Sequence, residues 1–429
     1  MMRTYPHAMI QRTMLTVAVI LGLSSLASGQ AKKNSCLECH AMLPDKLEVK
    51  AERFATDIHS QKGLDCASCH GGDPSQDDAE KAMSAGAGFK RGITRKQVPE
   101  MCGTCHGDAK YIRGFNPSLR TDQLSQYRTS VHGKRLAGGD EKVAVCTDCH
   151  SVHDIHSPRD SRSTVHPTQV AETCAKCHGN AEHMKAYKIP TDQFASYKAS
   201  VHFEALAVRG DLSAPTCNTC HGNHGAAPPG IASVENVCST CHVFQAQLFD
   251  TSPHKAAFAG MGIAACITCH SNHRIQRPSD AFIGNKSEAV CTRCHSEGDV
   301  GFKIAGEMRA GLQKLEDAIH RSNEILERAE RSGMEVSQAK LEQAEAHDAL
   351  TKARVTIHSF QMARLNQDID SGLKVAEKTF AAGQQALVER DYRRKGLALS
   401  LVAIALVLVG LKMLIAQIES RNTHPKEEM

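Results

Sequence analysis

The 429-residue chain contains no tryptophan, and aromatic residues make up only 4 % of it. Aromatic side chains supply much of the buried area of an ordinary globular core, so their scarcity argues against such a core. Long apolar runs are also scarce, with one near each end of the sequence. We therefore expect a bound non-protein group to supply part of the buried surface.

No cysteine is left over for a disulfide or a nucleophile, because all 18 fall into nine Cys-x-x-Cys-His motifs. This motif is the attachment signature of c-type haem. Its two thiols bind the porphyrin, and its histidine is held beneath the iron as the fifth, proximal ligand. We number the motifs 1 to 9 in chain order: Cys36-Cys39-His40, Cys66-Cys69-His70, Cys102-Cys105-His106, Cys146-Cys149-His150, Cys174-Cys177-His178, Cys217-Cys220-His221, Cys238-Cys241-His242, Cys266-Cys269-His270 and Cys291-Cys294-His295.

Zinc ribbons and disulfide frameworks are the other structures that a cysteine-rich chain can form. A zinc site pairs one Cys-x-x-Cys with another and does not require a histidine directly after each pair. A disulfide framework would not place every cysteine three residues from another. The motifs therefore predict nine covalently attached haem c groups, each with one iron atom.

Histidines outside the motifs recur at fixed offsets from them. Three stand three places after a proximal histidine, and four precede a motif, three of these in a similar local sequence. Imidazole suits iron, and two axial histidines are typical of low-potential electron-transfer haems. We predict that these residues are sixth ligands, each to a haem other than the nearest in sequence: His59, His132, His153, His202, His224, His254 and His273.

Seven sixth ligands leave two of nine haems unassigned, and the remaining candidates are His156, His166, His183 and Met42. The stretch Cys36-Leu-Glu-Cys39-His40-Ala-Met42, followed by His59 and Cys66, resembles the first two haem sites of membrane-bound tetrahaem quinol dehydrogenases. That resemblance implies a methionine that caps the haem nearest the quinol; otherwise Met42 fills an apolar gap beside the porphyrin. The paired motifs from motif 1 to motif 9 resemble the doubled-CXXCH multihaem cytochromes.

Arg3 and Arg12 precede a short apolar run that ends in small residues, which is typical of a signal peptide over residues 1–29. An uncleaved anchor fits less well, because the run is short for a membrane span. The formal net charge is +4. Removal of the signal peptide takes away Arg3 and Arg12 and lowers the net charge by two. Each of nine ferric haems with ionised propionates adds about −1, so the net charge of the oxidised mature protein is about −7. Nucleic-acid binding through basic charge is therefore excluded.

The composition changes after motif 9, where residues 279–424 contain no proline and apolar residues follow helical spacing. We predict a helical hairpin or three-helix bundle over residues 301–395, with a break at Ser332-Gly333 and a third helix opening at Ser371-Gly372. Its three histidines are interpreted as ordinary helix-face residues, although a helix packed on a haem edge could lend one as a ligand: His320, His347 and His358.

Residues 396–418 form an apolar segment of membrane length, with Lys412 able to reach the interface. Four basic residues precede it, and the positive-inside rule would place that side in the cytoplasm. Large exported domains are translocated largely regardless of flank charge, and haem attachment takes place outside the cytoplasm. We therefore predict a haem domain on the periplasmic or outer face, a single-pass C-terminal anchor and a short cytoplasmic tail, 419–429.

The predicted fold is mainly α with much irregular loop. A multihaem cytochrome c domain over residues 30–300 is followed by the helical region and one C-terminal transmembrane helix. The predicted function is electron transfer along nine haems between a membrane quinol pool or quinol oxidoreductase and other redox proteins. No nucleic-acid partner is expected, and self-association into a homo-oligomer is left open.

Catalysis is the alternative, because the helical region after the haems resembles the layout of hydroxylamine oxidoreductases and of multihaem nitrite and tetrathionate reductases. That resemblance implies one haem with an open distal site. The usual marks of that group are a Cys-x-x-Cys-Lys motif or a tyrosine cross-linked to haem. Here every motif ends in histidine, and Tyr392 lies four residues before the membrane segment. We assign no catalytic residue.

Overall fold

The computed structural model describes residues 33–225 and 233–422. The predicted signal peptide and the last residues of the predicted tail lie outside the described residues. Within those two segments the chain forms helices, turns and irregular loops, and no β-strand. The predicted fold class, mainly α with much irregular loop, is confirmed.

The haem-motif region consists of short helices. In the described part of the chain, the α-helices before residue 300 are α1 Ser35–His40, α2 Ala51–Thr56, α3 Ile58–Gln61, α4 Cys66–His70, α5 Ala79–Ala82, α6 Val98–His106, α7 Ala109–Arg113, α8 Gln123–Thr129, α9 Val131–Ala137, α10 Cys146–His150, α11 Pro167–His178, α12 Ala181–Lys185, α13 Gln193–Lys198, α14 Val201–Phe203, α15 Cys217–His221, α16 Val243–Asp250, α17 Pro253–Met261 and α18 Ala265–His270. Single 3-10 turns cover Asp45–Leu47, Ala85–Ala87, Arg95–Gln97, Val234–Thr240, Asp280–Phe282 and Val290–Arg293, and Glu204–Val208 is a π-turn.

The described residues divide into two compact units. One comprises residues 33–177 together with 222–225, and it holds the cysteines of motifs 1 to 5. The other comprises residues 178–221 and 233–422, and it holds motifs 6 to 9 and the long C-terminal helices. Each unit is described by itself below.

The helices that carry the even-numbered motifs stop directly after the proximal histidine. The next residue has a positive φ at Gly71 (φ 67°), Ser151 (φ 65°), Gly222 (φ 77°) and Ser271 (φ 59°). A positive φ lies outside the right-handed helical region, so the helix cannot continue through these residues. At Gly71 a side chain is also excluded sterically, since a Cβ atom would lie 2.0 Å from the carbonyl oxygen of Gly88.

Three long helices follow motif 9: α19 Val300–Arg331, α20 Ser337–Thr356 and α21 Met362–Asn422, with a 3-10 turn Ile357–Ser359 before α21. They pack through one apolar stripe on each helix, and the core includes Leu312, Leu315 and Leu365, all with 0 % exposure. A buried polar layer crosses the core: the Gln343 side chain accepts from Ser322 Oγ at 3.2 Å and donates to the Ile319 carbonyl at 3.1 Å. Of the two predicted arrangements, a helical hairpin or a three-helix bundle, the structure has the three-helix bundle.

The two predicted breaks in this region have different outcomes. As predicted, α19 ends before Ser332 and Gly333, and Gly333 is left-handed with φ 79°. The break expected at Ser371-Gly372 was wrong, because both residues lie inside α21. Gly372 is instead a packing position, where a Cβ atom would lie 2.8 Å from Leu315 Cδ1. Small side chains let helices approach closely, and this glycine meets that need without ending the helix.

Helix α21 continues without a break from the bundle into the apolar segment. Its 61 residues correspond to a length of about 90 Å at the α-helical rise. In the described residues it is the helix that is long and apolar enough to cross a membrane, by length and composition. Its large apolar side chains from Leu397 to Ile418 are exposed, whereas the buried core positions end at Leu387. This distribution fits a membrane anchor.

Candidate haem-binding sites

The proximal histidines face other histidines across gaps of nearly constant width. The pairs and the distances between their ring centroids are His59–His106 at 6.0 Å, His70–His153 at 6.1 Å, His150–His224 at 6.2 Å, His202–His242 at 6.4 Å, His221–His273 at 6.0 Å, His254–His295 at 5.9 Å and His270–His358 at 6.1 Å. The gap is the same at seven sites, so it has a common cause.

One metal atom between two imidazoles accounts for this width. A metal–imidazole nitrogen bond of about 2 Å on each side, plus the distance from nitrogen to ring centre, separates two ring centroids by about 6 Å. The thiols of a Cys-x-x-Cys pair adjoin one ring of every pair. The residues present therefore fit a haem c with two axial histidines.

The pairing follows a register along the chain. His59 precedes motif 2 and faces motif 3. In the same way, His202 precedes motif 6 and faces motif 7, and His254 precedes motif 8 and faces motif 9. The histidine three places after a motif faces the motif two places upstream, as His153 after motif 4 faces His70 of motif 2. His224 and His273 follow this second rule toward motifs 4 and 6. Each of these residues faces a haem motif other than its nearest, as expected from the sequence.

His132 lies on α9 in the same local sequence as His202. The register predicts that His132 is the sixth ligand of the haem at motif 5, which is attached at Cys174 and Cys177. This assignment stays a prediction. Other features of the two repeats are equivalent. Tyr127 Oη donates to the Ala144 carbonyl at 2.8 Å, and Tyr197 Oη donates to the Pro215 carbonyl at 3.0 Å. Both hydroxyls tie the helix before the distal histidine to the loop before a motif.

Backbone hydrogen bonds hold the distal histidines in place. The amide of Ile58, next to His59, donates to the Ile155 carbonyl at 2.7 Å; the amide of Val201, next to His202, donates to the Ile275 carbonyl at 2.8 Å. In both cases the acceptor follows an even-numbered motif. The loop after one motif therefore positions the histidine that belongs to another, and the repeats are joined through these bonds.

In the first repeat an aspartate stands at the N-cap position of the distal helix, where the other repeats have a serine. Asp57 is 2 % exposed. Its carboxylate accepts from the His59 amide at 2.8 Å, from the Ile155 amide at 2.7 Å and from His59 Nδ1 at 3.2 Å. Burial acts to raise the pKa of Asp57, but these hydrogen bonds outweigh it and hold the pKa below its usual value. Asp57 is therefore ionised and orients the His59 ring.

Burial also controls the charge of the imidazoles. Desolvation lowers the pKa of His150 to about 4. It lowers the pKa of other members of the pairs as well, with a smaller contribution from the facing imidazole: His70, His106, His202, His221, His254 and His270. A histidine must be neutral to bind a metal, and these rings are neutral at physiological pH.

Several rings use Nδ1 for a hydrogen bond to the protein. Nδ1 of His40 lies 2.8 Å from the Leu47 carbonyl, and Nδ1 of His295 lies 2.7 Å from Asp299 Oδ2. Donation from Nδ1–H fixes the tautomer in which Nε2 carries the free electron pair. This is the usual arrangement for a metal-binding histidine, and the acceptor also raises the basicity of the ligand.

The four candidates that the sequence left open lie elsewhere. Nε2 of buried His156 lies 2.9 Å from Asp154, and Nδ1 of buried His166 lies 2.8 Å from the Thr168 hydroxyl. The His183 ring packs against Tyr187 with centroids 5.9 Å apart. Met42 is 80 % exposed. None of these contacts is with a proximal imidazole, although His183 lies near enough to the proximal His178 of motif 5 to contribute to lowering the pKa of His178, after desolvation by burial.

His270 of motif 8 faces His358, for which the sequence indicates an ordinary helix-face residue or, where its helix packs on a haem edge, a ligand. No repeat offset marks His358, because it occurs once and lies far from the motifs in sequence. A signal was nevertheless present: the two offsets provide a facing histidine for motifs 2 to 7 and for motif 9, so motifs 1 and 8 would need one from elsewhere. At the other end of the series, none of the described residues places an imidazole opposite His40 of motif 1.

Successive motifs are neighbours in space within each unit. Hydrogen-bond contacts join Cys36 to Cys66 and Cys102 to Cys146 in the first unit, and Cys238 to Cys266 in the second. Further pairs lie near enough to interact electrostatically: Cys69 with Cys105, Cys149 with Cys177, Cys220 with Cys238 and Cys269 with Cys291. Haems attached at these cysteines would therefore follow one another closely within motifs 1 to 5 and within motifs 6 to 9.

Comparison with known proteins agrees with this chemistry. A family model described as cytochrome c3 matches residues 58–161 and 211–296, less than half of the chain. The C-type polyheme cytochrome OmcC of Geobacter sulfurreducens is 22 % identical over 208 residues, which cover 44 % of this chain and 26 % of that protein. The chain thus spans about a quarter of the length of this curated relative. No solved structure matches the chain.

The motifs, the facing imidazoles and these matches define a multihaem c-type cytochrome. Its haem c is bound covalently through paired cysteines, and iron with protein axial ligands carries single electrons. The matching segments contain alternating motifs and distal histidines of the kind described above. The resemblance to the quinol dehydrogenases in particular has no further support from these comparisons.

Proposed function

We propose that this protein is a membrane-anchored cytochrome with nine haems, which relays electrons between the quinol pool of a membrane, or a quinol oxidoreductase, and a redox protein outside the cytoplasm. The observation that carries the proposal is the spatial succession of paired histidines and adjoining cysteine motifs. Electron transfer needs cofactors close to one another, and the axial ligands, burial and nearby charge of each haem set its potential.

The axial ligands favour transfer over catalysis. A haem with two protein ligands has no free position for a substrate, whereas a catalytic haem needs one. Seven sites have facing imidazoles of suitable spacing. Lowered pKa values keep buried members of these pairs neutral, so protons do not compete with iron for Nε2 near neutral pH.

The anchor supports a membrane partner. Helix α21 carries an exposed apolar segment, which fits a single membrane span. In our proposal the haem-bearing residues lie on the periplasmic or outer side, since c-type haem is attached after export, and the short tail is cytoplasmic. The basic residues Arg390, Arg393, Arg394 and Lys395 then lie near the outer headgroups.

Reconstitution tests the proposal. The full chain, loaded with haem, is placed in liposomes that contain a membrane quinol, and a soluble electron acceptor is added outside. We expect the haems to be reduced by quinol, directly or after addition of a quinol oxidoreductase, and reoxidised by the acceptor. Haems that stay oxidised with every quinol donor, or that are reduced but cannot pass electrons on, would contradict the relay.

A second function is favoured by one observation, the absence of an imidazole opposite His40 among the described residues. Motif 1 would then hold a haem with an open distal position, which a nitrite-, hydroxylamine- or tetrathionate-type reaction requires. Carbon monoxide, nitrite and hydroxylamine distinguish the two functions. A change in the absorption spectrum of one haem with these ligands supports an open site, and an unchanged low-spin spectrum supports a relay only.

A further inference from the structure

The turn that joins helices α20 and α21 holds a histidine in a rigid position. Ser359 has 0 % exposure, and its hydroxyl donates to the Thr356 carbonyl at 2.8 Å. Thr356 Oγ1 donates in turn to Asp368 Oδ2 at 2.6 Å. Phe360 then adopts a left-handed conformation with φ 51°, which reverses the chain into α21. His358 lies within this closed turn.

The ring of His358 is oriented as a metal ligand. Its Nδ1 lies 2.8 Å from the Val355 carbonyl and donates to it, so Nε2 carries the free electron pair. The ring faces His270, with centroids 6.1 Å apart and ring planes 19° apart. That separation falls within the range of the other pairs, 5.9 to 6.4 Å.

The register of the repeats explains why the ligand comes from the helical bundle. Motifs 2, 4 and 6 each face the histidine that follows the motif two places downstream, namely His153, His224 and His273. Motif 8 would need a histidine after a tenth motif, and the sequence contains only nine. His358 stands opposite motif 8 in place of that missing repeat.

Neighbouring contacts hold the bundle turn against this part of the second unit. The Phe360 ring packs on His254, the residue that faces motif 9, with centroids 4.0 Å apart. Arg354 Nε and Nη2 each donate to the Asp280 carboxylate at 2.8 Å, which is a two-bond ion pair. Gln361 donates to the Thr251 carbonyl at 3.4 Å. The turn thus lies beside the sites of motifs 8 and 9.

We propose that His358 is the sixth ligand of the haem iron at motif 8, so that the bundle is a haem-ligating domain as well as the base of the anchor. This rests on the proposed haem attachment at Cys266 and Cys269. The iron of motif 8 is then low-spin only while the bundle is docked. Separation of the turn from His270 opens one coordination position.

The test is the spin state of the haems in the full-length His358→Ala variant. We expect the haem content to stay the same and one haem to change from low-spin to high-spin in absorption and electron paramagnetic resonance spectra. Added imidazole should restore the low-spin spectrum, which a general loss of folding would not allow. His320→Ala and His347→Ala are matched controls, because both rings are exposed and bond within the bundle; neither should change the spectrum.

A His358→Ala protein with all its haems still low-spin would overturn the proposal. Where that variant does not accumulate, His358→Met serves instead. One haem with a histidine–methionine spectrum and a raised potential supports the assignment, since methionine ligation raises haem potentials; an unchanged spectrum overturns it. Wild-type protein with no haem on the Cys266–Cys269 peptide would contradict the haem attachment itself, and mass spectrometry of that peptide detects this separately.

Discussion

Asp57 occupies the position that serine holds in three other repeats, at Ser130, Ser200 and Ser252, and all four residues are buried. Ser252 makes no side-chain cap bond, but Ser130 and Ser200 each accept from an amide of the short distal helix, Ser200 from Phe203 at 3.2 Å. Asp57 does the same and adds a negative charge beside the ring of His59. A carboxylate on a ligand imidazole increases its basicity and stabilises ferric iron.

Asp57→Ser should therefore raise the reduction potential of one haem, that of motif 3, by an amount on the order of tens of millivolts. Potentiometric titration followed by absorption spectroscopy measures this shift. Ser200→Asp is the reciprocal variant, and it should lower the potential of the haem at motif 7. Equal potentials in wild type and Asp57→Ser would show that the carboxylate has no electronic effect on His59.

The facing imidazoles predict the effect of removing a single distal ligand. His202→Ala should convert one haem, at motif 7, to the high-spin state without loss of haem, because Cys238, Cys241 and His242 remain. His156→Ala is the control: His156 is also buried, but it pairs with Asp154 at 2.9 Å. Ferric electron paramagnetic resonance separates the two variants. A high-spin signal in the control, or none in His202→Ala, would contradict the assignment.

Repetition determined which of these residues could be predicted from the sequence. Seven distal candidates stood out because they recur at fixed offsets, and the structure places six of them opposite a proximal histidine. The partner of each could not be assigned, because pairing depends on how the loops fold back. The sequence did not single out His358 from the other two histidines of the helical region, because a residue that occurs once has no offset to reveal its partner.

At the scale of the helices, the bundle has an ordinary apolar core. Leu315 on α19 is fully buried and lies against Gly372 of α21. Leu341 on α20 belongs to the same apolar pattern in the sequence, yet it is 69 % exposed. Helical spacing identified the helices, but it did not identify which apolar residues face inward.

Leu315→Ala should destabilise the bundle by about 3 kcal/mol, because it removes buried methyl groups and leaves a cavity. Leu341→Ala should change the unfolding free energy by less than about 0.5 kcal/mol, since exposed positions contribute little. Denaturant unfolding followed by far-ultraviolet circular dichroism measures both. Similar losses in the two variants would mean that the packing of α19 against α21 is not as described.

The helix boundaries show where sequence patterns reach their limit. Ser332-Gly333 ends α19 as predicted, whereas Ser371-Gly372 lies within a continuous helix. The actual turn, Ile357–Ser359, contains no glycine or proline. The turn is closed instead by the buried Ser359 and by Phe360, whose backbone is in the left-handed conformation. Tertiary contacts rather than local turn residues therefore determine where this helix ends.

At the scale of the whole molecule, the long helix α21 separates two roles along its length. Buried core positions end at Leu387, and exposed apolar residues begin at Leu397. A chain that ends after Lys395 should therefore keep the bundle core and all haems but remain soluble without detergent. Membrane fractionation and haem staining check this. A truncated protein that stays with the membrane would show that α21 is not its main attachment.

The number of haems per chain is the most direct test of haem attachment at all nine motifs. Intact mass spectrometry of the mature protein, made in cells with a complete haem-attachment system, compares the measured mass with that of the polypeptide alone. We predict an excess equal to nine haem groups, with every Cys-x-x-Cys-His peptide modified. A mass equal to the amino acids alone, or motifs left unmodified in the folded protein, would contradict the account.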